Sequence, residues 1–283
     1  MNERLIQVDG IEIRTDSFGR IDDPVVLLIM GAQSSLIWWE EEFCHRLAQT
    51  GRFVIRYDNR DVGVSTTYEP GQPDYTFEDM ADDAIRVLNA YKIERAHIVG
   101  MSMGGMLAQM IALRRPERVL TVTLLSTSNF APELPPMEER IMNFFSNLGE
   151  IDWTNEQSVV DFAVDRSKIL AGSKHSFNEN KVRALAKMEF ARSSSMASIH
   201  NHALLAGGES YLTRTSEIKI PALVIHGTED PIIPYKHGQN LANVLPGAVL
   251  LTLEGTGHEL HEDDWDTVIE SIARHTSKPD SFS

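Results

Sequence analysis

Cysteine is nearly absent: Cys44 is the single one among 283 residues. No intramolecular disulfide can form, and no Cys/His cluster shows zinc-ligand spacing, so no zinc site is expected. Cys44 reads as a small apolar side chain, partly buried on a helix. Positive charge is scarce too, with 26 Lys and Arg against 41 Asp and Glu and a net charge of −15. Such a surface repels phosphate backbones and anionic headgroups, so nucleic acid and membranes are not expected partners. Apolar runs of membrane-spanning length are missing, and "MNERLIQVDG" has no basic stretch followed by an apolar run and cleavage site. A cytoplasmic protein is the expectation; the oligomeric state is not legible.

What is present is an alternation. "VVLLIM" (25 to 30), "FVIRY" (53 to 57), "AHIVG" (96 to 100) and "VLTVTLL" (119 to 125) are short, branched-rich and bounded by turns, as buried parallel strands should be. Residues 3 to 17 read as an antiparallel pair turning at Asp9-Gly10. Thr76 with Asp79 marks a helix start, after which Met80, Ala84, Val87 and Leu88 share one face. The pattern predicts an α/β fold, a mostly parallel twisted sheet with helices on both faces. After Leu125 the rhythm breaks: from Asn129 to about Ser216 a "PELPP" punctuation precedes helix-like segments without a strand. Residues 131 to 215 are therefore expected to form a helical cap inserted into a core of residues 1 to 130 and 216 to 283. The alternation resumes with "IPALVIHGTED" (220 to 230), a helix near 236 to 245, "AVLLTLEG" (248 to 255) and a helix near 263 to 275. The tail "TSKPDSFS" carries too little apolar surface to pack and is expected to fray.

Gly100-Met101-Ser102-Met103-Gly104 fits G-x-S-x-G between a predicted strand and a helix over Met103 to Leu113. A serine at such an elbow occupies strained backbone, and its glycine neighbours let strand and helix approach. The helix start aims free N–H groups at the place where a tetrahedral oxyanion would form. In this architecture an acid should end a later strand and a histidine should follow the last one. Asp230 in "HGTEDP" and His258 in "EGTGHEL" answer to that order, with Glu229 and His261 as nearby competitors. Ser102 would attack, His258 would take its proton, and Asp230 would orient the ring. The main-chain amides of Ala32, after Gly31, and of Met103 would form the oxyanion hole. Met30, Gln33 and Trp38, with Met101, Met103 and Trp39, are candidates for the pocket wall. Ordinary core packing is the better reading for Met101 and for at least one tryptophan. His200 and His202 lack carboxylate company, which argues against metal binding there.

With these motifs in place, "LLIMGAQ", "VIRYDNRDVGVSTT", "AHIVGMSMGG" and "HGTEDPIIP" resemble the α/β-hydrolase fold with a helical cap. The similarity is strongest to the branch containing the aclacinomycin methyl esterase and, more distantly, the cofactor-free haloperoxidases. The resemblance implies a serine hydrolase that cleaves a small-molecule carboxylic ester, such as a methyl ester, through an acyl-enzyme. The chain departs from many members by Met30-Gly31 in place of His-Gly and by Asp61 in place of the glycine of the Asp-x-Arg-Gly turn, both as in the methyl esterase branch. Asp58 and Arg60 read as loop braces. Perhydrolysis by the same triad, carbon–carbon bond hydrolysis and a non-catalytic binding role stay open at this point.

Overall fold

The computed structural model describes residues 3–146 and 148–277. It opens with strands β1 (Arg4–Val8) and β2 (Ile11–Phe18), paired antiparallel with Val8 opposite Ile11. Asp9 and Gly10 between them both have positive φ, 51° and 83°, the geometry that a two-residue hairpin turn demands. Six strands follow: β3 (Val25–Ile29), β4 (Phe53–Tyr57), β5 (Ala96–Met101), β6 (Val119–Leu125), β7 (Ala222–Gly227) and β8 (Val249–Leu253). They form one sheet in the order β1-β2-β4-β3-β5-β6-β7-β8, parallel throughout from β4 to β8.

Side chains alternate across this sheet and sort into two cores. Leu27, Ile29, Ile55, Ile98 and Val224 face α2 (Phe77–Ala90), α3 (Met103–Arg114) and α8 (Lys236–Val244). Val26, Leu28, Val54, Val99 and Ile225 face α1 (Glu41–Gln49) and α9 (Trp265–His275). Burial on both faces is why the strands read as continuous apolar runs. Thr76 and Asp79 close the expected capping box on α2, and Met80, Ala84, Val87 and Leu88 below it are fully buried. Cys44 on α1 is fully buried in the second core, and burial pushes its thiol up to about 12, so it is inert packing.

Between β6 and β7 the described residues form helices and turns only: α4 (Glu139–Ser146), α5 (Glu156–Leu170), α6 (Glu179–Arg192) and the short α7 (Glu209–Leu212). Asn155 and Asn178 cap α5 and α6 by accepting amide bonds from Ser158 and Lys181. Val160, Ala163 and Ala186 join these two helices in a core of their own. Residues 206–215 lie instead against α2 and α3: Gly208 N–H donates to Glu78 at 2.9 Å and Thr215 Oγ1 to Gln109 at 2.8 Å.

At the C-terminus the expectation of fraying fails for its first residues. Thr276 is buried, and Arg52, itself buried, donates to Thr276 Oγ1 at 2.9 Å and to Ser277 Oγ at 2.5 Å. A cation from elsewhere in the chain supplies the anchor that apolar content does not. Residues 278–283 lie outside the described part of the chain. No helix among the described residues is long and apolar enough to cross a membrane.

Candidate active site

Ser102 stands between the last residue of β5 and the first of α3, with φ 54° and ψ −121°. A side-chain-bearing residue is rarely found there, and the conformation persists only where its surroundings fix it. Those surroundings are backbone. Ser102 N–H donates to Leu125 O at 2.9 Å, and Ser102 O accepts from Gly105 N–H at 2.9 Å and from Thr127 Oγ1 at 2.7 Å. The flanking glycines are forced: a Cβ on Gly100 would lie 2.1 Å from Gly104 O, and one on Gly104 would lie 2.1 Å from Ile29 O. Strand and helix meet at backbone contact, which leaves no room for a methyl group.

The loop after β3 runs against this serine, since a Cβ on Gly31 would sit 3.1 Å from Ser102 Cβ. Ala32 is exposed on the cavity wall, and Met103 contributes the first amide of α3, which has no carbonyl one turn back to bond. Gln33 follows with φ 62° and is pinned by its N–H, which donates to His202 Nδ1 at 2.9 Å. The same ring donates from Nε2 to Arg60 O at 2.7 Å, so both nitrogens are assigned; burial lowers its pKa and keeps it neutral. Farther along, Leu36 N–H donates to Asp58 Oδ1 at 2.8 Å, and the fully buried Asp58 also receives the Arg192 fork at 3.0 and 2.9 Å. Arg60 forks onto Asp83 of α2 at 2.7 and 2.9 Å. Asp58 and Arg60 brace the loop, as the sequence suggests. Asp61 occupies its glycine-like position with φ 66°, and its carboxylate accepts from Tyr68 N, Tyr75 Oη and Asn201 Nδ2.

His258 follows β8, and its Nδ1 lies 2.7 Å from Asp230 Oδ2. Asp230 follows β7, has a fully buried side chain, and accepts through Oδ1 from Ile232 N–H at 3.0 Å and Ile233 N–H at 2.8 Å. His226, also fully buried, donates to Ile233 O at 2.7 Å and so supports the same turn from beneath. The competitors are engaged elsewhere. Glu229 accepts from Ser173 N–H and Oγ, each at 2.7 Å. His261 stacks on His175 at 4.1 Å with ring planes 2° apart. With Asp263 these two rings bring ligand atoms within 4.8 Å of one another. Parallel stacked rings, however, point their lone pairs along parallel planes that do not converge on one ion, and His175 Nε2 is already 2.8 Å from Asp264.

Ser102 and His258 line one cavity of about 670 Å³, within the range of small-molecule sites, at the C-terminal ends of β3, β5, β7 and β8. Met30, Ala32, Gln33, Trp38 and Met101 share its wall. Met101 serves both the cavity and the second core, whereas the Met103 side chain and Trp39 point into packing. Asp230 sits behind His258, off the cavity. From the inserted helices come Met142, Phe145, Arg166, Leu170 and Leu185, and from the loop between α5 and α6 comes Phe177. Sequence reasoning missed His202 as the latch of the loop after β3 and missed Arg166 altogether; His-x-His gives no hint of partners 140 to 170 residues away.

Residues 23–264 match the model of the α/β-hydrolase fold family. Rhodomycin D methylesterase DauP of Streptomyces sp. (strain C5) is 30% identical over 98% of each chain. A putative carbamate hydrolase, RutD of Pseudomonas syringae pv. syringae, is 26% identical over 84% of this chain and 87% of its own. Among solved structures, esterase RhEst1 from Rhodococcus sp. ECU1013 superposes with a TM-score of 0.77 at 20% identity, covering 98% of this chain and 99% of that one. The enol-lactonase from Burkholderia xenovorans LB400 gives 0.76 at 22% identity over 97% and 100%. By the match across its core and the likeness along its whole length, the chain belongs to the α/β-hydrolase fold family and is a hydrolase.

Proposed function

We propose that the protein hydrolyses a carboxylic ester of a small molecule, with methyl esters the first class to try, through a Ser102-His258-Asp230 triad and an acyl-enzyme. One observation carries the reading: a strained serine at a helix N-terminus opens onto the same cavity as a histidine whose far nitrogen is held 2.7 Å from a buried aspartate. In this mechanism Ser102 Oγ attacks the acyl carbon while His258 Nε2 accepts the hydroxyl proton. The amides of Ala32 and Met103 receive the oxyanion, whose collapse expels the alcohol with the proton returned by His258. Water activated by the same ring then releases the acid and restores Ser102. Neither metal nor organic cofactor enters these steps. The likeness to rhodomycin D methylesterases supports methyl-ester cleavage. Residues 131 to 215 act as the cap that shapes the substrate, and the proposed setting is the cytoplasm.

The test is a panel of p-nitrophenyl and methyl esters of graded acyl size, run with the wild type and Ser102→Ala side by side. Turnover should fall by about four to six orders of magnitude in the variant with its melting temperature kept. If the wild type neither turns over any ester nor reacts with a fluorophosphonate at Ser102, the proposal fails and a binding role takes its place.

A further inference from the structure

The charged groups that line the cavity are engaged, with one exception among the described residues. Lys181 lies 2.9 Å from both Glu40 and Glu262. Glu259 accepts the Gly172 N–H at 3.0 Å, and His175 sits on Asp264. Arg166, on the cavity side of α5, makes neither an ion pair nor a hydrogen bond with any described residue. Its guanidinium lies instead over two rings, 5.4 Å from the Trp38 centroid and 5.7 Å from that of Phe162. Stacking satisfies the faces of a guanidinium and leaves the N–H groups at its edge unspent.

Glu189 is the acid whose field Arg166 feels most. That carboxyl is already held by Ser35 and Ser193, and burial raises its pKa toward the neutral form. Arg166 is half-buried at the cavity wall, and desolvation presses its own pKa downward. A partly desolvated guanidinium that faces a ligand cavity without a direct ion pair is stabilised by an anion that binds there. The remainder of the wall is largely apolar, from Met30 and Met101 below to Phe145, Leu170 and Phe177 above.

We infer that Arg166 receives a carboxylate carried by the substrate away from the scissile bond, so that the preferred esters are half-esters of dicarboxylic acids. The apolar wall holds the hydrocarbon between the two ends, Ser102 acts at the ester, and the guanidinium edge pairs with the free acid in a charge-assisted, two-point contact. This rests on the ester-hydrolase reading above and adds the chemical class of its substrate.

The experiment compares monomethyl half-esters of straight-chain dicarboxylic acids, from glutaric to sebacic, each with its neutral terminal-amide analogue. The proteins are the wild type, Arg166→Gln and Arg166→Lys. At the best chain length the wild type should favour acid over amide by about 10- to 100-fold in kcat/KM, the range expected for a charge-assisted bond. The ratio should collapse to about one in Arg166→Gln and survive in part in Arg166→Lys. A ratio near one for the wild type at every length, or one unchanged in Arg166→Gln, overturns the inference.

Serine-dependent turnover of p-nitrophenyl butyrate reports separately on the ester-hydrolase reading. If no ester turns over, protection of Ser102 from a fluorophosphonate gives the same comparison: half-esters protecting better than amides only while Arg166 is present supports the assignment, and equal protection refutes it. Thermal melts of each variant separate loss of recognition from loss of fold, since the Arg166 guanidinium also stacks on aromatic rings.

Discussion

The floor of the cavity and its roof are built from different kinds of contact. In the floor, backbone meets backbone: Gly100 against Gly104, Gly104 against Ile29 O, Gly31 against Ser102. In the roof, side chain meets side chain: Phe144 stacks on Phe162, Trp153 edges onto it, and Val160 and Ala163 pack on Ala186. Backbone contact tolerates no added atom, whereas side-chain contact can be repacked. The surroundings of Ser102 are thus fixed below, and the shape of the cavity is adjustable above.

The sharpest break of that contrast is Gly104→Ala. Its methyl group has nowhere to go, so the expected outcome is no soluble enzyme or a melting temperature lower by at least about 10 °C. Met142→Ala, a change on the exposed and cavity-lining roof, should move the melting temperature by no more than about 2 °C while shifting the preferred acyl size. If the two variants melt alike, the distinction between floor and roof is wrong.

A smaller effect is expected where roof and floor are joined by charge. Arg192→Met leaves Asp58 buried without its cation, a loss of about 3 to 5 kcal/mol in urea unfolding. Asp58→Asn in the same chain should recover part of it. The loop carrying Ala32 hangs from Asp58 through Leu36, so kcat should fall as well.

The smallest effect is on pH dependence. Burial holds His202 and His226 below the ordinary imidazole value of 6.5. Below that value the unfolded chain binds protons that the folded protein refuses, so stability falls as the medium is acidified, until the depressed folded-state values are passed. His202→Gln, which can still accept the Gln33 N–H, should flatten this acid limb in melts across about pH 5 to 8.

The floor was legible in the sequence and the roof was not, for the same physical reason. Glycines at an elbow, a capping box at Thr76 and apolar runs buried on two faces are local constraints that leave local signatures. Ser102, Asp230 and His258 could be singled out as candidates because strand ends converge on one crevice. By contrast, the fork of Arg192 on Asp58, the latch of His202 on Gln33 and the unpaired edge of Arg166 depend on pairings between distant segments, for which single residues carry no mark. The tail shows the same limit, because Arg52 holds Thr276 from 224 residues away in the chain.

One seam between the two halves sets a rule for rebuilding this protein. His258 N–H donates to Leu170 O at 2.9 Å, Lys174 N–H to Gly255 O at 3.0 Å, and a Cβ on Gly257 would lie 2.1 Å from Leu170 O. The end of α5 is therefore part of the mounting of the histidine. A chimera that grafts a foreign lid must leave residues 170–174 native and splice on either side of them, or it will inherit a new pocket and displace His258.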